Sequence, residues 1–498
     1  MGEKELPSTA SEQATTEGDS SVANDILFVD MDGTLVKNDA LLESLVIYLK
    51  QNIFRIFMAS YWLLRGKNYF KAALSQDQDL NVETLVYNRE FLAYLKEQKA
   101  RGRRLILITG SPQNYAQKVA NDCPVFDEVH GSSSVFDLTG TRKLNYIVNL
   151  VGKDQPFTYA GNSSVDLHVW KGASDIIVVN GSQSLYKKAR ILSPNTQLFD
   201  EKRPPWKLFI KAMRMYQWVK NLLIFVPAIT AHQLGDPATI LVSILCFFGF
   251  SLCASGVYLM NDLWDLNHDR QNPSKRKRPF ASGDLSLLYG ILGAPCLILP
   301  GLLIAVMAST SIFYMTLAYI LLSLMYSIKW KEYVVIDVLT LSLLYNWRIL
   351  SGAVAGHIEL SPWLIGFMGF LFYSLALAKR AAELGMLKNL NQSKSAGRGY
   401  QVSDLLPVSI IGCGSGLVAV LILALYINSY RVITFYPNSF LLWPLCIVCL
   451  YWISRIWLIT IRGDMNQDPV AFALKDKPSY VAGILTGILY LFSAYELW

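Results

Sequence analysis

From Trp218 onward the chain is a succession of apolar runs separated by short charged loops, and few folds can accommodate that pattern. A helix needs about 20 apolar residues to cross a bilayer core. Nine segments approach that length: about 219–234, 238–262, 285–308, 310–328, 335–356, 361–379, 405–428, 438–461 and 480–497. An apolar fraction of 52% against 17% charged residues argues against a wholly soluble protein. Loops after the even-numbered segments hold Arg270, Lys275, Arg276, Lys277, Arg278, Lys329, Lys331, Lys379, Arg380, Lys388, Lys394, Arg398, Arg462, Lys475 and Lys477, whereas the opposite loops hold only Arg431. Cytoplasmic loops are the ones enriched in Lys and Arg. The even loops and everything before Trp218 are therefore expected on the cytoplasmic face of a plasma (inner) membrane, with the C-terminus outside. The net charge of +7 lies beside apolar runs, which points to a bilayer surface and phosphorylated substrates as partners and not to nucleic acid.

The first part of the chain reads differently. Residues 1–23 are polar, lack an apolar core and predict a disordered tail without a cleaved signal peptide. Residues 24–193 read as an α/β domain, 194–215 as a linker with Arg203-Pro204-Pro205, and 216–498 as the all-α polytopic part. Three short apolar strands are expected in the α/β domain. Ile26–Val29 runs into Asp30-Met31-Asp32-Gly33-Thr34, Leu105–Ile108 into Thr109-Gly110-Ser111, and Thr158–Ala160 into Gly161-Asn162-Ser163-Ser164-Val165-Asp166. Strands ending in small polar or acidic residues predict an open sheet with its site along that edge. A helical insert of roughly 40–100 separates the first two strands. The seven cysteines are scattered, and the Cys446/Cys449 pair lies inside an apolar run, so membrane packing is expected there in place of zinc or redox chemistry.

In this order the motifs resemble the haloacid dehalogenase (HAD) phosphatase superfamily. The resemblance implies a Rossmann-type sheet with a small helical cap. It makes Asp30 the nucleophile that forms an aspartyl-phosphate and Asp32 the general acid/base. It gives Thr109 a hydrogen bond to the phosphoryl group and makes Lys143 the cation holding nucleophile and phosphate together. Asp30, Asp32 and Asp166 would bind Mg²⁺. The fourth motif departs from the superfamily's pattern, with Asn162 where an acid often stands.

At the end of the 238–262 run lies Asn261-Asp262-Leu263-Trp264-Asp265-Leu266-Asn267-His268-Asp269. On a continuous helix Asp262, Asp265 and Asp269 share one face. Three carboxylates together call for a cation, and Mg²⁺ suits one or two carboxylates plus substrate phosphates. Acids beside a bilayer are costly and usually functional.

This stretch resembles the first aspartate motif of the UbiA family of intramembrane prenyltransferases. The pattern is nearest to the decaprenyl-phosphate phosphoribosyltransferases within it. The residues that carry the likeness are Gln217–Asn221, Asn272–Lys275 with Arg278-Pro279, Tyr326–Lys329, Asp337, Arg348–Ala353, Lys379–Glu383 and Asp468-Pro469-Val470. The resemblance implies a transferase whose catalytic metal sits on Asp262, Asp265 and Asp269. Its substrates would contact Lys220, Asn261, Lys275, Arg278, Lys329, Asp337, Arg348, Lys379 and Arg380.

The second region offers Asp337 without a further acid at 333, 334, 340 or 341, and it is rich in cations. That balance fits a Mg²⁺-bound diphosphate together with a second anion, such as 5-phosphoribosyl diphosphate with a polyprenyl phosphate. The expected reaction joins those two with loss of diphosphate, and the HAD domain then removes the ribose 5-phosphate. The alternatives are a prenyl diphosphate transferred to an aromatic acceptor, and a HAD domain serving as a docking or regulatory module.

Overall fold

A computed structural model describes residues 26–494 apart from positions 53, 134–135, 154, 200–202, 395–396, 466–467 and 474. The tail expected over 1–23 lies outside the described residues. Two compact units emerge. One comprises the chain up to Leu208 with Ser282–Leu287, the other Phe209–Ala281 with Leu288–Trp498.

The first unit is built on a six-stranded parallel sheet. Its strands are β1 (Ile26–Val29), β2 (Arg104–Pro112), β3 (Glu128–Ser132), β4 (Phe157–Gly161), β5 (Asp175–Val179) and β6 (Gln197–Phe199), in spatial order β3-β2-β1-β4-β5-β6. The continuous apolar runs of β1 and β4 are buried on both faces, as a parallel sheet between helices requires. All three expected strands are present and adjacent. Their carboxyl ends therefore come together at one edge, where the acidic and hydroxyl motifs begin. The stretch read as linker instead holds β6, which extends the sheet beside β5, and a helix at Pro205–Met213. The insert is a helical cap of α1 (Ala40–Gln51), α2 (Arg55–Leu64) and α3 (Lys67–Asp77), followed by a helix at Arg89–Ala100. Leu41, Tyr48, Ala59, Phe70 and Leu74 form a small core of the cap's own.

The second unit is helical. Among the described residues seven helices are long and apolar enough to cross a membrane: Pro237–Trp264, Leu287–Ala308, Thr310–Ile328, Ile336–Ala355, Pro362–Asn389, Val402–Ile427 and Ser439–Arg462. The chain is an integral membrane protein. Seven of the nine expected spans coincide with these helices. The expected first span is a 3-10 stretch, Met215–Phe225, followed by a five-residue helix, Val226–Thr230, with Pro227 in its first turn. The expected last span is an 18-residue helix, Lys477–Ala494, which opens on Lys477 and Pro478 and falls outside that set.

Candidate active sites

Asp30 follows β1 directly, and its N–H donates to Ala160 O at 3.0 Å, so the loop after β1 is tied to the end of β4. Lys143 Nζ donates to Asp30 Oδ1 at 2.8 Å and to the Tyr159 hydroxyl at 2.9 Å. Tyr159 in turn donates to Asp166 Oδ1 at 2.9 Å. The other Asp166 oxygen accepts the Asn162 N–H (3.1 Å) and the Ser163 N–H and hydroxyl (both 2.9 Å). Asp166 thus braces the loop after β4. The Asn162 amide lies against Gly33, where an added Cβ would meet Nδ2 at 1.8 Å. The fourth-motif departure is therefore seated directly on the loop after β1, and Gly33 (φ +75) has both the backbone freedom and the bareness to accept it.

Asp32 accepts from the Ala40 N–H at 2.8 Å, the Ser111 hydroxyl at 2.6 Å and the Thr109 hydroxyl at 3.3 Å. Ser111 is the closer hydroxyl partner, a role that the resemblance did not single out. Burial pushes Asp32 up to about 7, reinforced by the charge of Asp39. Burial also raises Asp30 to about 6, with Asp166 adding repulsion and Lys143 opposing it. The cap contributes Lys71, which donates to Gly110 O at 2.7 Å and pairs with Asp137 at 3.1 Å. Asp30, Asp32, Thr109, Lys143 and Asp166 are thus assembled at one sheet edge.

In the membrane unit the acids span a one-residue turn at Asp265, across which the Asp265 and Asp269 N–H groups still donate to Asn261 O and Asp265 O at 2.9 and 2.8 Å. The Pro237–Trp264 helix closes at Asp265 (φ −92, ψ 9), and a short helix, Leu266–Gln271, starts there. Asp262 and Asp269, seven residues apart, converge on one guanidinium nitrogen, Arg278 Nη1, at 3.1 and 2.6 Å. Asp265 instead pairs with Lys331. Arg214 also binds Asp262, with its guanidinium over the Tyr258 ring at 5.3 Å. Arg214 holds a left-handed backbone (φ 53, ψ 46) that non-glycine residues rarely adopt. Burial raises Asp269 to about 6, against the pull of Arg278.

Asp337, at 0% exposure, is enclosed by cations. Arg380 binds it through two nitrogens, Arg398 reaches it at 3.2 Å and the Tyr326 hydroxyl donates at 2.9 Å. Arg398 comes from the loop after the Pro362–Asn389 helix and also meets Glu383 at 3.5 Å. That loop fits tightly. A Cβ on Gly399 would meet Glu332 O at 2.4 Å, and Tyr400 OH accepts the N–H of Val335, a β-branched residue at φ 69. Backbone strain of that kind persists only where the surroundings enforce it.

A third cluster joins Lys220 and Lys379, each 2.9 Å from Asp468. These side chains and Tyr345 line a small cavity. Although burial alone would raise it, Lys379 and Lys220 hold the Asp468 carboxyl well below the usual carboxylate range. Arg348, buried within its span, bonds neutral groups: Asn221 Oδ1 at 2.7 Å, Tyr319 OH at 2.9 Å and Leu344 O. Lys329 stands apart, its side chain 60% exposed and paired with Glu332, while Lys331 is the lysine that reaches an acid of the motif. Arg214, Lys331 and Arg398 carry no sequence signal of their own. Each becomes visible only through its carboxylate partner in the fold.

Residues 222–475 match the UbiA prenyltransferase family model. The chain belongs to the UbiA family. Residues 27–167 match the haloacid dehalogenase-like hydrolase model, so this UbiA enzyme carries a HAD-like domain ahead of its membrane part. It is 31% identical over 464 residues to an uncharacterized protein of Sinorhizobium fredii, covering 92% of this chain and 89% of that one. It is 37% identical over 289 residues to the nodulation protein NoeC of Azorhizobium caulinodans, covering 58% and 94%. The decaprenyl-phosphate phosphoribosyltransferase of Corynebacterium glutamicum is 35% identical over 203 residues, 38% of this chain and 60% of that protein. A solved UbiA homolog from Archaeoglobus fulgidus, bound to GPP and Mg²⁺, aligns with 57% of this chain and 98% of its own at 15% identity and a TM-score of 0.43.

Among the described residues no three Asp, Glu, His or Cys side chains form a metal cage. Mg²⁺ does not need one, since it commonly takes one or two carboxylates and fills its remaining positions with water and phosphate. Asp262 and Asp269 already share one cationic point, and Asp30 and Asp166 lie close enough to raise the Asp30 pKa. Asp262 with Asp269, and Asp30 in the first unit, offer carboxylate oxygens that fit a hard divalent cation, whereas both Asp166 oxygens already accept hydrogen bonds.

Proposed function

We propose that the membrane unit joins a polyprenyl phosphate to 5-phosphoribosyl diphosphate, and that the HAD unit then removes the 5-phosphate to leave polyprenyl-phosphoryl ribose. The observation that carries this reading is the enclosure of Asp337 by Arg380 and Arg398, which also meet Glu383, with Lys220, Lys379 and Arg348 in addition. A second metal-binding acid pair would suit a prenyl diphosphate. A cation-rich second region suits further phosphate groups. The names of the phosphoribosyltransferase relatives support the same donor.

In the transfer, a lipid phosphate oxygen bonds to the anomeric carbon as the bond from that carbon to the diphosphate oxygen breaks. The attacking phosphate is already anionic near neutral pH, since its second pKa is about 6, and it needs no base. Arg214, Arg278 and Lys331, now bonded to the acids, are placed to turn toward the departing diphosphate. Mg²⁺ bound at Asp262 and Asp269 would supply further charge stabilisation to that leaving group. Lys220, Lys379, Arg380 and Arg398 hold the remaining phosphate oxygens.

In the HAD unit Asp30 attacks the ribose 5-phosphate, with Lys143 neutralising the paired charges. Asp32, with a pKa near 7, keeps a proton to give to the departing 5-hydroxyl. Water then cleaves the aspartyl-phosphate with Asp32 as base. The loop charges support a cytoplasmic location in the plasma membrane for the HAD unit and for both sets of acids. The test is an assay of purified protein with radiolabelled phosphoribosyl diphosphate, a polyprenyl phosphate and Mg²⁺, with the lipid products separated by chromatography. Label should enter the lipid fraction only with both substrates present, and added diphosphate should inhibit. Alkylation of an aromatic acid by a prenyl diphosphate would overturn the donor assignment.

A further inference from the structure

Helix α2 of the cap is at odds with a water-soluble surface. Only Ala59 within it is buried, and Trp62 is partly buried against the cap core. Around that seam it exposes large apolar side chains: Phe54 at 72%, Phe57 at 72% and Leu64 at 87%, with Met58, Tyr61 and Leu63 close to half or more. Phe54, Phe57, Tyr61 and Leu64 follow one another at spacings of three, four and three, which places them along one side of the helix. Contiguous apolar surface of this kind on a soluble domain marks an interaction site.

The charge around this surface identifies its partner. Between Glu43 and Asp77 the sequence holds no Asp or Glu, and it carries Lys50, Arg55, Arg65 and Lys67 there besides Lys71 at the sheet edge; Arg55 also meets Asp77 at 3.9 Å. Arg55 and Arg65 bracket α2. Arg65 lies over the Tyr61 and Tyr69 rings at 4.8 and 5.3 Å, and Arg55 over Tyr48 at 4.7 Å. An aromatic-rich apolar face framed by basic residues is the composition of a helix lying in the headgroup region of an anionic bilayer. The same chain supplies that bilayer, because its other unit spans it.

We propose that α2 is a membrane-docking element, seating Phe57 and Leu64 among acyl chains and Arg55, Arg65 and Lys67 among anionic headgroups. The cap carries Lys71 to the Gly110 carbonyl, at the carboxyl-end edge where Asp30 and Asp32 lie. Seating the cap in the interface thus brings a phosphatase site to substrates embedded in lipid. The inference stands whichever phosphate the HAD unit hydrolyses.

The test uses the full-length protein in proteoliposomes. A photo-crosslinking phenylalanine analogue is placed at Phe57 and, as a control, at Lys187 on the helix following β5, and adducts are identified by mass spectrometry. In vesicles of phosphatidylcholine and phosphatidylglycerol, position 57 should give lipid adducts and position 187 should not. The lipid yield at 57 should fall severalfold in phosphatidylcholine alone and in the Arg55→Gln, Arg65→Gln, Lys67→Gln background. Adducts at 57 only to protein, whether this chain or a second copy, would overturn the proposal, as would water quenching alone. A lipid yield indifferent to anionic lipid would overturn it too.

Discussion

Asp32 is a single carboxyl at which stability and the proposed catalysis can be tested together. Its pKa stands at about 7 in the fold because burial penalises the charged form, against about 3.9 in an unfolded chain. The folded unit therefore binds the proton more tightly than the unfolded one between those values. The stability this contributes is full below about 4 and is lost as pH rises through about 7. Asp32→Asn should accordingly make the unit more stable than wild type at pH 8, with the difference shrinking as pH falls toward 5. Amide hydrogen exchange of β1 in chelator-treated protein measures it, and a difference growing toward acid would contradict the burial argument. The same substitution should slow phosphate release, where general acid–base catalysis contributes about 10²–10⁴-fold. A second pair of residues separates sequence proximity from spatial role. Lys331 is buried on Asp265, whereas Lys329 is exposed on Glu332. Lys331→Ala should lower lipid transfer by about a hundredfold, as loss of one preorganised donor does. Lys329→Ala should leave it within about twofold, as expected of a surface pair.

At the scale of elements, the sequence was most legible where one principle acted alone. Apolar runs gave seven spans, and the strand motifs gave β1, β2 and β4 with their acids at one edge. It was least legible where tertiary context decided the backbone. The three acids read as one helix face, but their partners could not be read: Asp262 and Asp269 meet at Arg278, and Asp265 goes to Lys331. Met215–Phe225 is apolar enough to suggest a span, yet it is wound as a 3-10 stretch that sets Lys220 on Asp468 and Asn221 on Arg348. Arg398 could not be read at all, because only the folded loop brings it to Asp337. Gly397, in that loop, lies near the His268 ring of the first motif, and Gly399 lies against the Glu332 carbonyl, so the loop ties the two aspartate regions together. Gly399→Ala should displace Arg398 and depress transfer while leaving HAD hydrolysis of a soluble phosphomonoester unchanged. Unaltered transfer in that variant would mean the loop is a bystander.

For the whole molecule, separate units are proposed to run separate reactions. Asp262→Asn should abolish transfer and spare hydrolysis of p-nitrophenyl phosphate. Equal loss of both activities in a folded, membrane-inserted variant would show that the division is wrong. The order of the two steps can be read from their product. Wild-type protein given phosphoribosyl diphosphate, a polyprenyl phosphate and Mg²⁺ should yield polyprenyl-phosphoryl ribose. Asp30→Asn removes the carboxylate proposed to attack phosphorus, and the proposed transfer uses no group of Asp30. Mass spectrometry of the lipid extract is therefore the most direct test. Wild type should give a ribose lipid without the 5-phosphate, and Asp30→Asn a 5-phosphorylated one. The same 5-phosphorylated lipid from both proteins would contradict the proposal.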